Sequence, residues 1–214
     1  MGQVASVTGR ARRTQAERSA MTRARLLDAT IGCLNDLGYA RTSTPEIARR
    51  AGLSRGAQIH HFPTKAELVT SAVEHLFVRR HEEFLCAFRS RAPGQDPVGA
   101  AIDILWSMVS GPTFHAWLEL TVASRTDGEL REPVTALTSR LVRVVEDTFR
   151  DIFPAPSAPN PFYEVAPRFA FALLDGLALE RVNAADADAH APVLLALKGL
   201  ARLVMPQPDT APTT

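Results

Sequence analysis

Two helix starts and one glycine stop, packed into a single short segment, constrain this chain more than any other feature. In STPEIARRAGLSRGAQIHHFPTK, residues 43 to 65, Ser43-Thr44-Pro45-Glu46 has the form of a capping box. The serine hydroxyl accepts from the backbone N–H of Glu46 and the glutamate carboxylate reaches back, so a helix is expected to begin there. Ile47, Ala48 and Ala51 give that helix a narrow apolar stripe of small residues. Gly52 can take the left-handed conformation that ends a helix, and Ser54 is placed to cap the next one. Pro63 disfavours helical geometry at Phe62 and stops the second helix. Two short helices separated only by Gly52, Leu53 and Ser54 have the spacing of a helix-turn-helix.

The rest of the chain also carries helical rather than alternating periodicity, and no repeat recurs at 20 to 50 residues. The expected fold is therefore all-α: a three-helix N-terminal unit, then a larger helical bundle, about nine helices together. Leu26, Leu27, Thr30, Ile31, Leu34 and Leu37 define a first helix over about 20 to 37, which Gly38 terminates. Thr64-Lys65-Ala66-Glu67 forms a second capping box, opening a long helix to about Arg91. Further helices are expected near 97 to 109, 113 to 125, 128 to 153, 162 to 185 and 189 to 205. Breaks fall at Pro93-Gly94, Gly111-Pro112, PAPSAPNP (154 to 161) and 186 to 188. This divides the chain into a flexible basic arm (1 to 18), the helix-turn-helix unit (19 to 65), the bundle (66 to 206) and a disordered tail (207 to 214).

A net charge of +1 over 214 residues argues against a nucleic-acid partner only until the chain is divided near residue 65. Residues 1 to 65 hold eleven Arg or Lys against four Asp or Glu (Glu17, Asp28, Asp36, Glu46), leaving thirteen against nineteen beyond. A basic head on an acidic body is the electrostatic pattern of a phosphate-binding surface, although charge alone carries no sequence specificity. A helix-turn-helix reads DNA by placing its second helix in the major groove. Arg55 suits a guanine edge or a phosphate, Gln58 suits adenine, and His60, His61 and Lys65 offer donors to phosphate. Gly56 and Ala57 keep that helix slim. Arg10, Arg12, Arg13 and Arg18 of the arm are candidates for an adjacent minor groove, a solubilising tail being the alternative.

Residues 23 to 70 resemble the TetR family of bacterial repressors, with its pattern TS..EIA..AG.S.G....HF..K in order. The resemblance implies a homodimeric repressor that binds a palindromic operator and leaves it when a small molecule enters the C-terminal domain. It also implies DNA contacts at Ser43, Thr44, Pro45, Arg55, Gly56, Ala57, Ile59, His60, His61 and Lys65. The chain departs from the family at Gln58-Ile59, where an apolar residue followed by a phosphate-touching Tyr is usual. On a helix of about 100° per residue Gln58 and Ile59 flank Phe62 on either side. The expectation is Ile59 inward and Gln58 towards DNA.

In the bundle, Phe88, Trp106, Phe114 and Trp117 are the aromatic candidates for a pocket beside the core, with His115 and Glu119 as its polar groups. They imply a largely apolar effector. Helical spacing also fits plain core packing for each. The segments LELTVASRTDGELR and ALLDGLALER are similar to stretches found in such regulators. In that family the last two helices pack against their copies, which would place Phe169, Leu173, Leu177, Leu194, Leu197 and Leu200 at a dimer interface.

Other classes find less support. His60 and His61 are adjacent and expected to point apart, and His75 and His81 lie six residues apart. No HExxH, Cys-x-x-Cys or glycine-rich phosphate loop is present, so neither a metal, a cofactor nor an enzyme is expected. Cys33 and Cys86, each among apolar residues, are expected to be small buried hydrophobes. No apolar run approaches the roughly 18 residues of a membrane span. The polar first 20 residues lack the apolar centre of a secretory signal, so the expected address is the cytoplasm. The alternative to a ligand-responsive regulator is a DNA-binding protein without an effector.

Overall fold

The structure, a computed structural model, describes residues 14 to 183 and 189 to 205. Among these are nine helices: α1 (Gln15–Arg41), α2 (Thr44–Ala51), α3 (Arg55–His61), α4 (Lys65–Arg89), α5 (Pro97–Val109), α6 (Pro112–Ala123), α7 (Gly128–Ile152), α8 (Pro161–Val182) and α9 (Ala191–Val204). No strand occurs among the described residues. The all-α reading therefore holds, with helix limits within a few residues of those expected except at the start of α1.

That start lies inside the segment expected to be an arm. Thr14 accepts from the N–H of Glu17, and the Glu17 carboxylate accepts from the N–H of Thr14 in return, so Arg18 belongs to a capped helix. Arg10, Arg12 and Arg13, like the whole of the expected tail, lie outside the described residues. At the other end of α1, Gly38 stands at φ 72° and ψ 168°, which breaks the helix where the sequence placed its stop.

α1 to α3 form a basic head whose core runs without interruption into the body. Leu26, Leu34, Ile47 and Phe62 of the head share one buried cluster with Leu68, Val69 and Leu76 of α4, Leu120 of α6 and Leu130 and Leu137 of α7. The burial of these side chains, about 1.5–3 kcal/mol each, is the main force holding head to body. A second cluster joins α5, α6, α8 and α9 around Trp106, Phe114, Leu177, Leu194 and Leu197. A third, around Phe84, Phe88 and Ala101, fills the far end of α4.

α4 and α7, 25 residues each, lie side by side and run in the same direction. Arg140 pairs with Glu74 at 3.0 Å, and about two turns beyond on both helices His81 Nε2 meets Thr148 Oγ1 at 2.8 Å. Each helix spans about 37 Å at 1.5 Å per residue, from the head to the far end of the body. No helix among the described residues is long and apolar enough to cross a membrane.

Cys33 is buried, and burial pushes its thiol above the usual range. Cys86 corrects the expectation: it is exposed, because it projects from the outer side of α4 while Phe84 and Phe88 take the inner side.

Candidate nucleic-acid interface

The helix-turn-helix is assembled from caps that the sequence supplies locally. Ser43 Oγ accepts from the N–H of Glu46 at 3.4 Å, and Ser54 Oγ accepts from the N–H of Ala57 at 3.1 Å. Gly52 adopts φ 61°, ψ 41°, the left-handed turn expected of it. The first capping box is only half made. The Glu46 carboxylate turns away from the Ser43 N–H and pairs with Arg49 and Arg50 at 2.7 and 2.9 Å, which holds it at a pKa of about 2. Arg50 extends the network to Asp36 of α1. Arg25 of α1 donates to the carbonyl of Ala51 at 2.6 Å, closing the C-terminal end of α2. This long-range cap had no local signal.

These contacts reassign much of the head's positive charge. Arg25 and Arg50 are tied to other elements of the fold, Arg49 is paired with Glu46 on its own helix but stays exposed, and the Arg23 guanidinium lies 4.4 Å from the centre of the Phe62 ring. Lys65, expected at a phosphate, instead donates to the carbonyl of Tyr39 at 2.8 Å and sits 3.8 Å above that ring. Its ammonium is half-buried, and that burial lowers its pKa. By contrast Arg55, at the first position of α3, is exposed, and no ion pair among the described residues engages it.

The outward face of α3 carries Arg55, Gly56, Ile59 and His60, an arc of about 140° at 100° per residue. Ala57 and His61 flank it half-buried, and the rings of His60 and His61 meet edge-on at 5.4 Å rather than pointing apart. A Cβ built on Gly56 would meet nothing closer than Ser54 Oγ at 3.9 Å, so the helix surface there is open to close approach. Ser43 and Pro45 are exposed and Thr44 half-buried at the start of α2.

The expected orientation of the Gln58-Ile59 pair is reversed. Gln58 is 1% exposed and donates from Nε2 to the carbonyl of Phe62 at 2.6 Å, whereas Ile59 is 47% exposed. The reason is the helix end. Phe62 has left helical geometry (φ −144°), so its burial does not mark the centre of the inward face, and Pro63 supplies no N–H of its own. The Gln58 amide supplies a donor to the carbonyl at this buried end. Gln58 is therefore removed from the base-reading candidates.

In the body, the residues expected around a ligand do not converge. Trp106 and Phe114 belong to the second cluster, Phe88 to the third, and Trp117 packs edge-on against Phe77 beside the first. His115 is exposed. Glu119 is committed elsewhere, its Oε2 accepting from the N–H of Tyr39 at 2.6 Å. A groove of about 330 Å³ opens between the far ends of α4 and α7, lined by His81, Leu85, Phe88, Arg89, Thr148 and Ile152 among others. Of the expected ligand residues only Phe88 reaches it. No group of three or more His, Cys, Asp or Glu with metal-binding placement occurs among the described residues.

The residues expected at a dimer interface divide in two. Leu177, Leu194 and Leu197 face the chain's own second cluster and Leu173 is half-buried against it, while Phe169 and Leu200 are exposed. Sequence reasoning missed Phe162, Val165, Leu179, Leu195 and Leu203, the last 83% exposed. On α8 the signal available was the spacing of three and four residues from Phe162 through Val165 to Phe169; Leu195 and Leu203, eight apart on α9, had none.

Comparison with known proteins agrees with this geometry. The family model described as bacterial regulatory proteins, tetR family, matches residues 26–72. An uncharacterized HTH-type transcriptional regulator of Mycobacterium bovis is 32% identical over 169 residues, 79% of this chain and 87% of that protein. The HTH-type transcriptional regulator CymR of Pseudomonas putida is 37% identical over 136 residues, covering 64% of this chain and 67% of its own. Among solved structures, a transcriptional regulator of Streptomyces coelicolor superposes with a TM-score of 0.63 at 26% identity, covering 86% of this chain and 98% of that one. One from Pseudomonas aeruginosa reaches 0.66 at 22% identity, over 92% and 98%. The chain belongs to the TetR family of HTH-type transcriptional regulators, a non-enzymatic family, and α2 and α3 are its DNA-binding helix-turn-helix.

Proposed function

We propose that the protein is an effector-responsive repressor that acts in the cytoplasm, binds a palindromic operator as a homodimer and leaves it when a small molecule occupies the body. The observation that carries this reading is the apolar outer face of α8 and α9. Phe162, Val165, Phe169, Ala172, Gly176 and Leu179 recur on α8 at alternating spacings of three and four, all exposed, and Leu200 and Leu203 continue the face on α9. That is the spacing of a helix-packing seam, and an apolar face of this extent in water calls for a partner. A second copy of the chain fits it, because paired copies would carry two heads and two recognition helices to a two-fold symmetric site.

The base-facing candidates are then Arg55, Ile59 and His60, with Gly56 and Ala57 allowing approach and Ser43, Thr44, Pro45 and His61 near the phosphates. The α4–α7 groove supports an effector site: Leu85, Phe88 and Ile152 offer apolar surface, and Arg89 and His81 offer polar contacts at its edge. The dispersal of Trp106, Phe114 and Trp117 into separate clusters favours the second reading, a regulator without an effector.

Sedimentation of the whole chain, alone and with Phe169→Glu, tests the dimer. A dimer that the substitution dissociates is expected, and a wild-type monomer that still binds an operator overturns it. A thermal-shift screen tests the effector, because it finds compounds that bind the free protein, and one that binds the free protein more tightly than the operator complex must weaken operator binding by the same factor. Stabilising compounds that leave the operator complex intact would establish the effector-free reading.

A further inference from the structure

Where Gly38 breaks α1, three other helices meet one residue. The Tyr39 N–H donates to Glu119 Oε2 of α6 at 2.6 Å, and its phenol donates to Asp127 Oδ2 at 2.6 Å. Its carbonyl accepts from Lys65 Nζ at 2.8 Å, with the ammonium stacked over the ring. Asp127 is also the N-cap of α7, accepting from the N–H of Glu129 at 3.0 Å, and Lys65 is the first residue of α4. The end of the head's longest helix is thus bound through one residue to the starts of α4 and α7 and to α6.

The groups are matched in charge and commitment. Two carboxylates, on α6 and at the start of α7, face the tyrosine near the end of α1 and the lysine that begins α4, and the phenol's bond holds Asp127 below the usual carboxylate range. Burial, then the bond to Asp127, pushes the Tyr39 phenol well above its ordinary value, so the donor stays protonated. None of the four side chains lies on the outward face of α3. Their effect on DNA is therefore exerted through the angle at which the body holds the helix-turn-helix.

We infer that Glu119 and Asp127 are positioning residues for DNA binding, which latch the head to the body through Tyr39 and Lys65. The inference rests on the family's DNA binding and not on the effector reading. A head held at one angle presents α3 in the binding pose in most molecules. A loosened latch lowers that fraction, and apparent affinity falls in proportion. The number of phosphates contacted does not change, so the dependence on salt keeps its slope. Binding is reciprocal, so DNA that selects the latched pose must also tighten the latch.

The test uses the whole chain and a duplex carrying the site recovered by selection, to which the unmodified protein is first shown to bind. That control separates failure of the latch from failure of the operator reading. Glu119→Ala is expected to weaken binding roughly five- to thirty-fold, with an unchanged salt slope. Glu119→Gln, which keeps an acceptor for the Tyr39 N–H, recovers most of the loss. Tyr39→Phe, which removes only the bond to Asp127, weakens binding by less. Hydrogen exchange at the Tyr39 amide should slow when the duplex binds the wild type. If Glu119→Ala does not fold, Tyr39→Phe and the exchange measurement carry the test. A folded Glu119→Ala that binds as tightly as the wild type, a changed salt slope, or a Tyr39 amide indifferent to DNA would each overturn the inference.

Discussion

Replacing Gly38 by alanine should destabilise the protein far more than the same change at Gly52, although both glycines have positive φ. Gly38, at φ 72° and ψ 168°, lies in a region essentially confined to glycine, where a side chain costs about 1–3 kcal/mol. A Cβ there would stand 2.9 Å from Glu119 Oε2 and 3.3 Å from its Cδ. The carboxylate must move and give up the Tyr39 N–H, a bond to a charged group in the range of about 1.5–3 kcal/mol, here at the low end because Glu119 is half-exposed. The two effects together give about 2.5–4.5 kcal/mol. Gly52, at φ 61° and ψ 41°, is in the ordinary left-handed region, where alanine costs about 1–2 kcal/mol. Its new Cβ would stand 2.9 Å from Arg25 Nη2, which donates to the Ala51 carbonyl, but a guanidinium at the end of a long side chain has other N–H donors and can shift while keeping that bond. Urea unfolding at one fixed protein concentration measures both, provided the slopes match. In a Glu119→Ala background the cost of Gly38→Ala should fall to the backbone part, about 1–3 kcal/mol. Gly38→Ala losing no more than Gly52→Ala, or the same amount in both backgrounds, would refute the reasoning.

Burial on α8 raises the Asp175 carboxyl to about 6. Between about pH 4 and 6 the folded state then holds a proton that the unfolded state releases, so stability should fall as pH rises through that window and stay low above it. The loss is at most about 3 kcal/mol. Asp175→Asn should flatten that profile and raise the urea midpoint at pH 7; a profile identical to the wild type's would remove the burial argument. Gln58→Ala should cost about 1–3 kcal/mol by leaving the Phe62 carbonyl without its donor, while Ile59→Ala stays within about 0.5 kcal/mol and alters DNA binding alone. The reverse order in unfolding and DNA-binding assays would restore the sequence-based orientation of the pair.

Most helices were legible in the chain because periodicity and caps are local. Ser43, Gly52, Ser54 and Pro63 each act within four residues, and each delimits its helix where the sequence placed it. The interface was less legible for two physical reasons. First, polar side chains choose partners across the fold: Glu119 and Tyr39 are 80 positions apart, Arg25 and Ala51 26 apart, and nothing local marks either pair. Lys65 was read as a free donor for this reason, whereas Gln58 was misread although its partner, the Phe62 carbonyl, is only four residues on, because the helix ends at Phe62 and frees that carbonyl. Second, α8 and α9 are apolar on more than one side. Leu177, Leu194 and Leu197 face the chain's own core while Phe169 and Leu200 face outward, and composition does not distinguish an inner from an outer stripe.

Selection of bound duplexes from a random pool by the purified chain, repeated with Arg55→Ala, tests the central claim most directly. The account predicts enrichment of one two-fold symmetric sequence, with half-sites about one turn of DNA apart or a multiple of it. It further predicts that Arg55→Ala relaxes one base position per half-site by about 1–3 kcal/mol. Enrichment of no sequence, or a selected site whose base preferences survive the loss of Arg55 unchanged, would contradict the assignment of the outward face of α3 as the surface that reads DNA.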